Sequence, residues 1–110
     1  MRTLEDVLEK NVDDTFIQCM KNAMCMSAFK YGDVSQKQGG KALDRINDEI
    51  RCFTKDGNLE HMVNVANWAM MRFMFPKEGE AYVGTDSNKS TRIKYQSVFE
   101  HLRDYILEND

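Results

Sequence analysis

The apolar positions of this chain are densest over residues 58–75, NLEHMVNVANWAMMRFMF. Projected at about 100° per residue, they run almost all the way round a helix. Leu59, Val63, Met70 and Met74 form one stripe, and Met62, Ala66, Ala69 and Phe73 an adjoining one. Val65, Trp68, Met71 and Phe75 fall on what would be the wet side, leaving Glu60, Asn64 and Asn67 as a polar seam with His61 and Arg72 beside it. The pattern predicts a central helix, apolar on most faces. Two amides and a carboxylate inside such a helix need partners, from other side chains or from a ligand, because an unpaired buried polar group costs roughly 1–3 kcal/mol.

The remaining periodicities predict further helices. Thr3 with Asp6 reads as a capping box opening a short helix that turns Leu4, Val7 and Leu8 inward. Asp13 and Asp14 suit the start of a second, longer helix reaching about Tyr31, with Phe16, Ile17, Met20, Ala23, Met24 and Ala28 inward and Cys25, Met26 and Phe29 on other faces. Residues 32–40, GDVSQKQGG, read as a loop. A third helix over about 41–54 carries Leu43, Ile46, Ile50 and Phe53 on one face and charge on the other. In the turn that follows, Gly57 suits a left-handed position and Asn58 a cap, so the third and fourth helices should pack antiparallel. Pro76 and Gly79 end the central helix. Residues 77–89 read as a long ordered loop, after which Ser90 or Thr91 caps a last helix to about Leu107, with Ile93, Tyr95, Val98, Phe99, Leu102, Tyr105 and Ile106 as its contacts. The expected fold is all-α, a small bundle of four main helices plus the short N-terminal one, in a single domain over residues 1–110. The second and fourth helices carry more apolar surface than so small a bundle covers, which predicts a homo-oligomer, a dimer or a multiple of one.

Composition narrows the function classes. Eight Met and a single Pro favour helix. The net charge is −3 and the basic residues are scattered, which gives no electrostatic footprint for duplex nucleic acid. No apolar run approaches the roughly 20 residues that span a bilayer, and the acidic, amphipathic TLEDVLEKN after the first residues is not a secretory leader. The expectation is a cytoplasmic protein whose cysteines, Cys19, Cys25 and Cys52, are reduced and buried. His61 and His101 read as solvated.

Two groups of residues are candidates for chemistry. The first is the seam, Glu60, Asn64 and Asn67, with Trp68 and Arg72. The second is GTDSNKSTR over residues 84–92. There Thr85, Asp86, Ser87, Lys89, Ser90 and Arg92 sit just before a helix N-terminus, a natural anion site that hydroxyls and cations reinforce. The same side chains also suit a capped loop that satisfies its own backbone. No Walker-type GK[ST] occurs, and no nucleophile–base constellation, so no catalytic residue, resident metal or cofactor is expected.

EHMVNVANWAMM resembles the E-x-x-x-D-x-A-N-Y-A-x-M helix of some MazG-like all-α nucleotide pyrophosphohydrolases, over about a dozen residues. That resemblance implies Mg²⁺ held against nucleotide phosphates by Glu60 with carboxylates such as Glu5, Glu9, Asp44, Asp48 and Glu49. The family's aspartate position is Asn64 here, which removes one anionic ligand. Residues 54–90, with TKDGNLEHMVNVANWAMMRFMFP and TDSNKS, also resemble a family of short phage-encoded proteins reading TGNxEWLVDVANFAMxEFMxP and TDSxxS. By analogy with Thoeris- and CBASS-type sponges, that resemblance implies sequestration of a nucleotide-like signal without hydrolysis. The base or ribose would meet Asn64, Asn67 and Trp68, and the phosphates Arg72 with residues 85–92. A third alternative is a protein-binding inhibitor of a host defence complex, using the Met-rich surface.

Overall fold

A computed structural model describes residues 2–83. Within them the chain is all-helical: α1 (Leu4–Asn11), α2 (Asp14–Tyr31), α3 (Gln36–Asp56) and α4 (Glu60–Met74). Residues Asp14–Glu80 make one compact unit, and the described residues 2–13 and 81–83 belong to another. No described helix is long and apolar enough to cross a membrane. The expected last helix lies outside the described residues, as does the end of the loop before it.

α1 opens as its sequence predicts. The Thr3 hydroxyl accepts from the Asp6 amide at 3.1 Å while the Asp6 carboxylate accepts from the Thr3 amide at 3.1 Å. Leu4 and Val7 are half-buried, and Leu8 is exposed.

α3 differs from expectation, beginning five residues earlier than the anticipated Lys41, at Gln36. A second capping box sets that start, with Ser35 as N-cap and Gln38 reaching back to it. The expected loop shrinks to residues 32–35, and both Gly39 and Gly40 lie inside the helix. Gly39 is there for contact. A Cβ at this position would stand 2.8 Å from the Phe75 carbonyl oxygen and 2.9 Å from the Phe75 Cβ. The absent side chain lets α3 approach the end of α4 backbone to backbone.

α3 and α4 form the principal packing pair, joined by a tight turn in which Gly57 takes a left-handed φ of 66°. Asn58 accepts from the Glu60 amide at 3.0 Å, as its predicted capping role requires, although the last residue before the helix is Leu59. The pair is antiparallel: Gly39 lies against Phe75 at one end, and Glu49 meets His61 near the other. Small residues make the seam, since Gly39 and Ala42 are the buried positions of α3. Of the expected apolar stripe, Ile46 and Phe53 are half-buried beside it, whereas Leu43 and Ile50 are exposed.

α4 is central in that both α2 and α3 pack on it, but it is not enclosed. Only Asn67 and Met71 are buried along its length, while Phe73 and Met74 are about half exposed. The three cysteines are free thiols, and they differ from expectation in being exposed rather than buried.

Candidate functional site

With α3 starting at Gln36, Lys37, Lys41 and Arg45 come into register one helical turn apart, about 6 Å per step along one side of the helix. This side lines a concave surface that α2 and α4 share. Trp68 and Met71 of α4, with Ser27 and Tyr31 of α2, complete the walls of a cleft of about 570 Å³. That volume falls within the roughly 300–1,000 Å³ usual for small-molecule sites. No carboxylate among the described residues pairs with Lys37, Lys41 or Arg45, whereas Arg51 is taken by Asp48 and Arg72 by Glu80. Three cations and a half-buried indole thus face one concave surface, a combination that suits an anion with an aromatic or heterocyclic part.

One acid also lines this cleft. Glu49 stands one turn beyond Arg45, at the helical spacing where the two side chains would ordinarily pair. Its carboxylate instead reaches across to His61, whose Nδ1 is 2.7 Å away. The other ring nitrogen, Nε2, lies 2.9 Å from the Asp56 carboxylate. His61, expected to be solvated, is thus clamped, with a side chain only 19% exposed. Only a doubly protonated ring donates to both acids. Hydrogen bonds to Asp56 and then to Glu49 accordingly raise its pKa above the usual 6.5. Asp56 is held below its ordinary 3.8, first by the Asn58 amide and then by the His61 ring.

The residues of the polar seam part company in the folded chain. Trp68 reaches the cleft. Asn67 is 4% exposed and turns to α2, its Nδ2 donating to the Met20 carbonyl at 3.2 Å while its Oδ1 has no partner among the described residues. Asn64 is half-buried, and Glu60 is exposed in the first turn of α4. Arg72 belongs to a structural clasp: it donates to Glu80 at 2.6 and 2.8 Å and to the Gly39 carbonyl at 3.1 Å. Glu80 comes back to it through the turn after Pro76, and that pairing, helped by the Lys77 amide, lowers the Glu80 pKa to about 2. Thr85, Asp86, Ser87, Lys89, Ser90 and Arg92 lie outside the described residues.

The carboxylates that the pyrophosphohydrolase resemblance draws on are dispersed. Glu49 bonds His61, Asp48 bonds Arg51, and among the described residues no three His, Cys, Asp or Glu side chains gather to hold a metal ion. The basic row of α3 is hidden in the sequence because GDVSQKQGG, which holds Lys37, has the composition of a loop. The Ser35-x-x-Gln38 capping box was the signal that would have shown it.

The chain matches no protein-family model, no curated protein and no solved structure.

Proposed function

We propose that this protein binds a nucleotide-like anion in the cleft between α2, α3 and α4 and holds it without chemical change. The observation that carries the reading is the unpaired row Lys37, Lys41 and Arg45 set beside Trp68 on a concave surface. Phosphates would lie along the row, where charge-assisted hydrogen bonds are strongest, and the base against the indole or the Tyr31 ring. Following the resemblance to short phage-encoded proteins, the ligand is a nucleotide signal of host defence, sequestered in the host cytoplasm.

The same reading takes the protein to be a homo-oligomer. Ala42 and Met71 are the buried apolar side chains among the described residues, while Phe29 is 92% and Met26 60% exposed on α2. A single copy leaves much of its apolar surface in water, which stable monomers avoid. A species of one-chain mass in light scattering at micromolar concentration would contradict this part.

Trp68 is the chain's one tryptophan, so its fluorescence reports directly on the cleft. Adenosine 5′-triphosphate and adenosine 3′,5′-cyclic monophosphate should each give a saturable change, and adenosine none. Lys41→Glu should abolish the response. Release of pyrophosphate from the triphosphate, dependent on Mg²⁺, would replace holding by hydrolysis. No response to any nucleotide would remove the cleft as a site.

A further inference from the structure

Glu49 belongs to two structures at once. It lines the cleft, and it is one of the two carboxylates bonded to His61. On the first count it opposes anion binding, since a carboxylate one turn from Arg45 would neutralise the guanidinium and repel a phosphate. On the second count it is held away. We propose that His61 is a positioning residue for the cleft: its protonated ring keeps the Glu49 carboxylate off the cation row, so that uptake of an anion is coupled to a proton on that ring. The proposal rests on the anion-binding reading of the cleft.

The two acids facing the ring are not equally anchored. Asp56 accepts from the Asn58 amide at 2.8 Å as well as from His61. For Glu49 the ring is the one hydrogen-bond partner among the described residues. A neutral imidazole has a single N–H and presents a lone pair to whatever faces its other nitrogen. On losing its proton the ring therefore keeps the doubly anchored Asp56 and releases Glu49, which has Arg45 one turn away on the same side of α3. Among the described residues, the charged groups around the ring are Glu49 and Asp56, both on α3. The charges facing Glu49 along the cleft are Arg45, Lys41 and Lys37, and α2 adds only the Tyr31 phenol.

The sign follows from the protonated ring being the binding-competent one. Affinity is highest where His61 carries its proton, and falls as pH rises through a ring pKa that lies above 6.5. Reciprocally, a bound anion raises that pKa further and draws a proton from solution.

The test uses the full chain and adenosine 3′,5′-cyclic monophosphate, a phosphodiester whose own charge stays constant near neutrality, with Trp68 fluorescence read from about pH 5.5 to about pH 8.5. Wild-type affinity should fall about three- to tenfold across the titration of His61. Glu49→Gln should remove most of that slope and bind more tightly than wild type at the alkaline end. His61→Gln should bind weakly at every pH, and the double variant His61→Gln/Glu49→Gln should regain tight binding with a flat profile. A merely structural role for the ring would not produce that rescue. An NMR titration of the His61 ring, with His101→Gln to leave a single histidine signal, should show its pKa rising when the nucleotide is added. Saturable binding with a flat wild-type profile, or a slope that survives Glu49→Gln unchanged, would overturn the coupling alone. No saturable response at any pH would overturn the cleft and the coupling together.

Discussion

The two ends of the α3–α4 hairpin are held by different physics. At the open end, α3 meets the end of α4 backbone to backbone at Gly39, and the Arg72 guanidinium closes over the contact by bonding the Gly39 carbonyl and Glu80. At the turn end there is no such approach. A left-handed glycine reverses the chain, and a histidine ring caught between Glu49 and Asp56 ties the helices. One end depends on volume, the other on conformation and on a proton. The lesson is that glycines and ion pairs at matching places in a hairpin need not have matching roles.

The largest difference between the two ends should appear on substituting their glycines. Gly39→Ala forces a methyl into a gap bounded by the Phe75 backbone, which cannot rotate away, and should cost about 2–3 kcal/mol by urea denaturation. At Gly57 nothing lies within 4 Å of an added Cβ, and the φ of 66° alone resists it. Gly57→Ala should therefore cost about 1 kcal/mol, and Gly57→Asn less, because Asn tolerates a left-handed backbone. Equal losses for the two alanines would erase the distinction between crowding and conformation.

Next in size is the cap of the open end. Ser35→Ala removes the side chain that fixes the first turn of α3 and should cost about 0.5–1 kcal/mol. Because Lys37 lies in that turn, the same variant should loosen the near end of the cation row and weaken nucleotide binding more than Thr3→Ala, which removes the equivalent cap from α1. A Ser35→Ala protein with full affinity would detach Lys37 from the site.

How much of this was legible in the sequence follows the same division. The boundaries of α2 and α4, the Thr3 capping box and the left-handed Gly57 are local properties, written in periodicity and turn chemistry, and they are found where the sequence puts them. The role of Gly39 is not local. GlyGly inside a polar stretch looks like a breaker until Phe75, distant in sequence, is seen to need the space. A loop over that stretch would separate Lys37 from Lys41 and Arg45, which leaves the amide seam of α4 as the more conspicuous polar feature of the sequence. Within that seam, only the position of Trp68 matches the cleft. Asn67 and Arg72 have the right chemistry for a ligand, but tertiary partners occupy them, namely the Met20 carbonyl, Glu80 and the Gly39 carbonyl. The clamp on His61 is equally invisible, because the twelve-residue separation between it and Glu49 spans a helix end and a turn.

The smallest effect is also the most discriminating, since only the turn end should lose stability on the alkaline side. His61 has a raised pKa, so its contribution is complete below about pH 6.5 and is lost as pH rises through the folded value. Asp56 has a lowered pKa, so its share is present above about pH 3.8 and is lost as pH falls through the folded value. The turn end thus weakens on both sides of neutrality. At the open end, Glu80 with a pKa of about 2 contributes fully above its ordinary 4.5 and loses that contribution only as pH falls from there toward 2. Arg72, whose pKa the Glu80 hydrogen bond raises further, stays charged throughout. Between about pH 6 and about pH 8.5 the wild-type Tm should therefore fall by a few degrees, and the fall should come from the turn alone. His61→Gln should start lower and show little of that alkaline decline, whereas Glu80→Gln should start lower and keep it in full. If instead Glu80→Gln abolished the alkaline decline, the two ends would be coupled through α4, and the hairpin would have to be treated as one electrostatic unit.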